Sequence, residues 1–114
     1  MRRPTRNEYG IKLDSNGYAP TIMAHKPLKC YRCEQNCETV RHEIFGGALR
    51  SKSKKYGLWV NVCPACHAKI HGSGALQDYY HKQGQLQAMI HYGWTVSDFR
   101  RRFYKNYYLD IKED

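Results

Sequence analysis

The sequence predicts a small α+β fold, with strands in the middle of the chain and helices toward its end. Three observations favour this class. The chain has 114 residues, enough for one domain with a modest core. Two Cys-x-x-Cys pairs, at residues 30–33 and 63–66, could hold a metal ion that supplements this core. Short β-like segments lie between the pairs, whereas helical periodicity and capping signals follow the second pair.

We expect three parts along the chain. Residues 1–29 form an extended N-terminal arm, residues 30–74 a metal-bound core, and residues 75–114 the C-terminal helices and a tail. The arm shows no sustained periodicity and carries several turn-forming residues. These are Pro4, Gly10, Asn16, Gly17, Pro20 and Pro27. Tyr18, Ile22 and Met23 of the arm are expected to pack against the body of the domain.

The predicted core consists of two strands, a basic loop and a helix. Residues 38–45 and 58–62 are predicted strands, because both contain β-branched and aromatic residues. Residues 48–57, between them, are rich in Lys and Arg and are predicted to form a loop. A helix is expected to begin at Pro64, whose missing amide hydrogen costs nothing in the first turn, and to end near His71, before a Gly-Ser-Gly sequence.

Two more helices are predicted in the C-terminal part. The first spans about residues 75–91 and carries an apolar stripe, although Gly84 weakens it. The stripe comprises Leu76, Tyr79, Tyr80, Leu86, Met89 and Ile90. The second helix begins with Thr95 and Asp98, whose spacing is typical of a capping box. Two phenylalanines, Phe99 and Phe103, share one face of this helix.

The net charge, the absence of long apolar runs and the paired cysteines together indicate a basic protein that acts inside the cell. The formal net charge of +9 favours a polyanionic partner, with nucleic acid as the first candidate and a merely solvated basic surface as the alternative. No apolar run approaches the roughly 20 residues that span a bilayer, and no hydrophobic segment follows the basic N-terminus, so we expect neither membrane association nor secretion. In a reducing compartment, paired cysteines are typical of metal ligands rather than disulfides.

The four paired cysteines predict one structural zinc site. A Cys-x-x-Cys turn places two thiolates on one side of a zinc ion, and two such turns complete a tetrahedral shell. Cys30 and Cys33 supply the first pair, and Cys63 and Cys66 the second. Two alternatives stay open: Cys37 or the histidine after the second pair replaces one ligand, or the thiols simply pack in the core.

A second set of candidate ligands lies beside the cysteines. His67 and His71 are four residues apart on the predicted helix, so their imidazoles share one face and can chelate a divalent ion. His42, on the first predicted strand, could supply a third ligand, and Glu43 follows it directly. Surface histidines are frequent, and the alternative for the strand residues is a polar pair at a sheet edge.

This pattern resembles the ββα-metal finger of HNH endonucleases, in particular the small HNH-like proteins encoded by phages and prophages. The residues that carry the resemblance are His42-Glu43-Ile44, Gly46-Gly47 and Cys63-Pro64-Ala65-Cys66-His67. It covers roughly residues 30–108. The resemblance implies a zinc-stapled ββα core in which His42, His67 and His71 bind a catalytic divalent metal: Mg²⁺, Mn²⁺, Ni²⁺ or Zn²⁺.

Two positions depart from the family pattern. Glu43 stands where the general base is usually a histidine, and Leu58 stands where the middle asparagine is expected. A carboxylate is a weaker base at neutral pH unless it is desolvated. Alternatively, His42 is the base and Glu43 is an oxygen ligand suited to magnesium or manganese. Both residues are therefore candidate catalytic residues.

The resemblance implies one-metal hydrolysis of a phosphodiester bond, most simply in double-stranded DNA. Basic residues near the site would hold the phosphate backbone with little reading of base sequence. The candidates are Arg41, Arg50, Lys52, Lys54, Lys55 and Arg100. For these cations the alternative is a solvated face.

Three functions remain open from the sequence. The first is a metal-dependent DNA endonuclease in the cytoplasm of a bacterial host, if the gene belongs to a phage. The second is a zinc-containing nucleic-acid-binding protein of phage or prophage origin with weak or no catalysis. The third is a protein–protein module that reuses the scaffold.

Overall fold

An antiparallel hairpin lies at the centre of the fold and consists of β1 (Val40–Glu43) and β2 (Trp59–Val62). The computed structural model describes residues 5–23 and 29–108, which contain this two-stranded sheet and four α-helices. His42 pairs with Val60 and Glu43 with Trp59 across the hairpin. The prediction of a small α+β fold is therefore confirmed, while the predictions for Pro4, Pro27 and the tail lie outside the described residues.

The segment between the strands is helical, so the prediction of a loop over residues 48–57 was wrong. A 3-10 turn (Gly47–Leu49) leads directly into α1 (Arg50–Lys55). Ser53 explains the local order, because its buried hydroxyl accepts a hydrogen bond from the amide of Phe45 and donates one to the carbonyl of Leu58. These bonds tie α1 to both strands, a tertiary effect that the composition of the segment does not reveal.

The helix after β2 forms as predicted. It is α2 (Pro64–His71), with Pro64 in its first turn and Gly72 at its C-cap. The side chain of Cys63 caps the N-terminus by accepting a hydrogen bond from the amide of Cys66. The second cysteine pair therefore also begins the helix that carries the two spaced histidines.

The long helix α3 (Gly74–Tyr92) matches the predicted span, but its buried face differs from the predicted stripe. Tyr79 and Ile90 are exposed, at 54% and 67% of their surface, and Leu86 is exposed as well. The buried positions are instead Tyr80, Gly84, Gln85 and Ala88. Gly84 determines this orientation, because a Cβ atom there would lie 2.6 Å from Cγ2 of Ile44. The missing side chain lets the helix approach the end of β1 closely.

The last helix, α4 (Val96–Phe103), begins with the predicted capping box between Thr95 and Asp98. Phe99 and Phe103 are buried and stack on each other with ring centroids 4.8 Å apart. Phe45, which follows β1, packs against both rings. This aromatic cluster joins α4 to the hairpin.

The described part of the N-terminal arm, residues 5–23, packs against the hairpin near its end and against α1 and α3 near its start. The indole nitrogen of Trp59 donates to the carbonyl of Ala19 at 2.8 Å, and the hydroxyl of Thr21 donates to the carbonyl of Trp59 at 2.5 Å. Tyr18 and Met23 are buried, which confirms that they pack against the body. Among the described residues, no helix is both long and apolar enough to cross a bilayer.

Candidate metal centres and the adjoining cleft

The four paired cysteines form one group that could hold a metal ion such as zinc. Their sulfur atoms all lie within 4.8 Å of one another, and Sγ of Cys33 and Sγ of Cys63 are 3.9 Å apart. A zinc–sulfur bond of about 2.3 Å places two sulfurs about 3.8 Å apart in a tetrahedron, so this spacing fits zinc. Cys30 and Cys66 are buried, and the ion would join the segment before β1 to the start of α2.

The surroundings of this group favour charged sulfur at Cys30 and oppose it at Cys66. Burial alone would raise the pKa of Cys30, but backbone hydrogen bonds from its neighbours outweigh it and lower this pKa to about 6. Burial raises the pKa of Cys66 to about 12, although Nη1 of Arg32 donates to its sulfur at 3.6 Å. A cation bound among the sulfurs would therefore supply the charge that the deprotonated form of Cys66 needs.

The three predicted histidines converge at a second point. His42 lies on β1, and His67 and His71 lie one turn apart on α2; their ring nitrogens fall within 4.8 Å of one another. The Nε2 atoms of His67 and His71 are 3.0 Å apart. Metal–nitrogen bonds of about 2.0–2.1 Å place two nitrogens at most about 4.2 Å apart, so His67 and His71 already fit one ion, and a side-chain adjustment of less than about 1 Å brings the third nitrogen within range.

Burial lowers the pKa of two of the three imidazoles, those of His42 and His67. His42 is 6% exposed, and its pKa falls to about 4 because burial disfavours the charged ring and because His67 and His71 lie beside it. Burial also lowers the pKa of His67. His42 is therefore neutral near pH 7, which is the form that offers a lone pair to a metal.

Glu43 is held by two partners. The hydroxyl of Tyr18 donates to its Oε2 at 2.8 Å, and Nε of Arg50 donates to its Oε1 at 2.5 Å. The Glu43 side chain is 11% exposed, whereas that of Arg50 is 59% exposed. Both carboxylate oxygens are thus engaged, one by the arm and one by an exposed cation at the surface.

A cleft of about 730 Å³ contains these groups. The three histidines and Glu43 line it, together with Tyr18 and Asn16 of the arm, Gly46 and Gly47 after β1, and three cations. The cations are Arg41, Arg50 and Lys54. The cleft therefore combines a potential metal site, a carboxylate and positive charge, which together suit an anionic ligand.

The predicted nucleic-acid contacts divide between this cleft and other surfaces. Arg41 reaches Asp14 at 3.0 Å and lies over the ring of Tyr18, at 4.2 Å from its centroid. Lys52 turns toward α4, where it donates to the carbonyl of Arg102 at 2.5 Å. Two further candidates do not line the cleft. They are Lys55, at the end of α1, and Arg100, on α4.

Leu58, at the position of the expected asparagine, is fully buried just before β2. It contributes to the core and offers no polar atom to the site. Asn61 pairs with Arg41 across the sheet, and its backbone carbonyl accepts a hydrogen bond from the amide of Tyr31. The middle residue of the HNH pattern therefore has no polar replacement at Leu58.

Two residues of these sites were not predicted from the sequence. Tyr18 was expected only to pack, yet its hydroxyl contacts Glu43. Arg32, inside the first Cys-x-x-Cys pair, contacts Cys66. A cation between the two cysteines of a Cys-x-x-Cys pair can be recognised in the sequence as a possible partner of the sulfurs. The contact between Tyr18 and Glu43, which are 25 residues apart, has no such signal in the sequence.

A scan against protein-family models, a search of curated proteins and a search of solved structures each returned no match. The function must therefore be inferred from the site itself.

Proposed function

We propose that the protein is a metal-dependent endonuclease of the HNH type that hydrolyses phosphodiester bonds in DNA. One observation carries the proposal: His42, His67 and His71 converge in a cleft that also presents Glu43 and Arg50. The order of hairpin then helix, with ligands on β1 and α2, is the order of the ββα-metal finger that the sequence resembles. The net charge of +9 supports a polyanionic substrate.

The donor set fits a divalent metal. Three imidazole nitrogens favour Ni²⁺ or Zn²⁺, whereas Mg²⁺ and Mn²⁺ prefer oxygen ligands. With Mg²⁺ or Mn²⁺, Oε1 of Glu43 would become such a ligand if Arg50 moved away from it, and His42 would then be the proton acceptor. When bound, the ion would polarise the phosphate and neutralise the charge that develops on the departing 3′ oxygen.

The chain's own residues have defined roles in this proposal. The scissile phosphate attracts the guanidinium of Arg50, which is exposed and bears a fixed positive charge. Its departure frees Oε1 of Glu43, while Tyr18 keeps Oε2 in place. The freed oxygen accepts a proton from water as the water oxygen bonds to phosphorus and the bond from phosphorus to the 3′ oxygen breaks. A neutral His42 nearby is the alternative proton acceptor.

A second function is a zinc-containing protein that binds nucleic acid without cutting it. Two observations favour it: both oxygens of Glu43 are already engaged, and Leu58 supplies no polar group. The four-cysteine group and the basic cleft would serve this function equally well.

Cleavage of supercoiled plasmid and single-stranded DNA tests the proposal. The protein is incubated with each substrate and with Mg²⁺, Mn²⁺, Ni²⁺ or Zn²⁺ in turn, beside His42→Ala and His67→Ala proteins. We expect cleavage by the parent protein and a loss of more than about 100-fold in both variants, because removing even an outer partner of a metal ligand costs 10–100-fold. His91→Ala, at an exposed position of α3, is the matched control.

The outcomes separate the two functions. Cleavage that survives both substitutions would come from a contaminant, and it would remove the histidine cluster from the reaction. DNA binding without cleavage under any metal would favour the second function. In each variant, one zinc per chain and an unchanged thermal transition would show that the fold is intact.

A further inference from the structure

A second cavity lies beside the cleft, between the arm and α1 (Arg50–Lys55). Its volume is about 370 Å³, and three of the residues that line it are cations. These are Arg6, Lys54 and Lys55. Arg6 lies in the arm, distant in sequence from the cysteine pairs and the three histidines.

Asn7 holds the arm in place against α1. Its side-chain nitrogen donates to the carbonyl of Lys55 at 2.8 Å, and its side-chain oxygen accepts from the amides of Tyr9 and Ile11 at 2.9 and 3.1 Å. All of these contacts join the arm to itself or to the end of α1. The wall of the cavity is therefore ordered before any ligand binds, which lowers the entropic cost of binding.

The cavity carries an excess of positive charge. Its carboxylate, Glu8, accepts hydrogen bonds from Arg102 at 2.9 Å and from Tyr56, and these bonds lower its pKa. Glu8 is paired with Arg102 and also lies near enough to Lys55 for that cation to lower its pKa, but it is one carboxylate among three lining cations, so the cavity stays net positive. Arg6 donates Nη1 to the carbonyl of Gly10 at 2.7 Å, which leaves most of its five donor hydrogens for a ligand.

Two residues connect this cavity to the cleft. Asn16 and Lys54 line both of them, and Nζ of Lys54 lies 3.4 Å from the carbonyl oxygen of Asn16. Asp14 builds the turn that forms this shared wall, because its carboxylate accepts from the amides of Asn16 and Tyr18 at 2.8 and 3.0 Å. A chain of phosphates that leaves the cleft past Lys54 would therefore enter the second cavity.

We propose that the cavity between the arm and α1 is a backbone-phosphate subsite for the same DNA strand that enters the histidine cleft. Arg6 and Lys55 bind a phosphate beyond the scissile one, and Lys54 stands between the two positions. The proposal rests on the proposed action on DNA and adds the arm to the substrate-binding surface. Recognition would be independent of base sequence, because the groups involved are cations that contact phosphate.

The salt dependence of DNA binding tests this subsite without any cleavage. Fluorescence anisotropy with a labelled duplex, in the absence of added divalent metal, gives the slope of log Kobs against log salt concentration. Each lost phosphate contact reduces this slope by about 0.9 for duplex DNA. We therefore expect a reduction of about 0.9 for Arg6→Gln and about 1.8 for the Arg6→Gln/Lys55→Gln double variant.

Lys82→Gln/Lys105→Gln is the matched control, because it removes two exposed charges that line neither cavity. We expect its slope to equal that of the parent protein. Equal slopes for the Arg6 variants and the parent would overturn the subsite, as would an equal loss in the control. The salt dependence is measured without cleavage. An absence of nuclease activity would therefore count against the proposed function but would not affect the test of the subsite.

Inorganic phosphate distinguishes a backbone subsite from a site for a small anion. If the cavity served free phosphate, that anion would bind the parent protein more tightly than the double variant, while the DNA slopes would stay equal. This pattern would overturn the proposal. Reduced DNA slopes in the Arg6 variants, with parental zinc content and thermal stability, would support it.

Discussion

The hydroxyl of Tyr18 donates a hydrogen bond to Oε2 of Glu43 at 2.8 Å, so the N-terminal arm reaches the first strand of the hairpin. Arg50 holds the other oxygen of the same carboxylate. The Tyr18 ring also packs edge-on against Trp59, at a centroid distance of 5.6 Å. The arm therefore sets the orientation of Glu43 in the proposed active site.

Replacing Tyr18 by Phe should lower the rate of DNA cleavage while leaving the fold intact. The ring and its packing on Trp59 are retained, but Glu43 loses the bond that fixes Oε2. We expect about a tenfold loss of rate, equivalent to about 1.4 kcal/mol. Nicking of supercoiled plasmid under single-turnover conditions measures this rate.

Tyr79→Phe, at an exposed position of α3, is the control and should cleave at the parental rate. A Tyr18→Phe protein with full activity would show that the orientation of Glu43 does not limit the reaction. Parental DNA affinity in the absence of added metal would show that the substitution acts on catalysis rather than on binding.

Replacing Cys66 by Ser should remove the structural zinc and unfold the protein. The four sulfurs converge within 4.8 Å, and binding of a structural zinc contributes about 10–16 kcal/mol, which equals or exceeds the stability of most domains. Elemental analysis should find one zinc per chain fewer in Cys66→Ser than in the parent protein. Circular dichroism should show the accompanying loss of helix.

Cys37→Ser separates the fifth thiol from the proposed ligands. Cys37 is not part of the four-cysteine group, so this variant should keep one zinc and the parental spectrum. Zinc lost from Cys37→Ser but retained in Cys66→Ser would show that Cys37 replaces Cys66 as a ligand.

Within each ligand group, the members that are close in sequence were predictable because their spacing is local, whereas the approach of the first cysteine pair to the second, and of His42 to the two helix histidines, joins distant segments. A Cys-x-x-Cys turn and two histidines four apart on a helix place their side chains together wherever the segment folds. The helix over Pro64–His71 and the capping box at Thr95 were predictable for the same reason. Whether either group binds a metal stays a prediction.

The features that the sequence did not predict depend on contacts between distant segments. α1 is held by bonds from Ser53 to residues before and after it, and Glu43 is held by Tyr18 of the arm. The buried face of α3 is set by the fit of Gly84 against Ile44, which overrides the apolar pattern of that helix. Periodicity and composition carry no information about such partners.

Replacing Gly84 by Ala should destabilise the protein, although Ala normally stabilises the interior of a helix by about 1 kcal/mol relative to Gly. The new methyl group would lie 2.6 Å from Cγ2 of Ile44 and 3.1 Å from Cε2 of Phe45, both in the buried core. Overpacking of this kind costs about 1–3 kcal/mol. Chemical denaturation monitored by circular dichroism measures the change in the free energy of unfolding.

Gly74→Ala is the matched control, because nothing lies within 4 Å of a Cβ atom at that position of the same helix. It should be neutral or slightly stabilising. A Gly84→Ala protein more stable than the parent would mean that α3 and the end of β1 are not in close contact, and the buried face assigned to α3 would be wrong.

Replacing His81 by Phe should make the protein less sensitive to acid. His81 stacks on Phe45 with ring centroids 5.3 Å apart, and burial lowers its pKa below the ordinary value of 6.5. His81 therefore binds a proton more readily in the unfolded chain than in the folded protein. As the pH falls below about 6.5, this difference lowers the free energy of unfolding. Phe keeps the stacking but cannot titrate; it also loses the hydrogen bond to the backbone of Ile44, so the slope against pH rather than the absolute stability is compared. The free energy of unfolding is measured from about pH 8 to about pH 5. It should fall less steeply for His81→Phe than for the parent protein. The control, His91→Phe at an exposed position, should follow the parent. Parallel curves for all three proteins would show that His81 is solvated in the folded state.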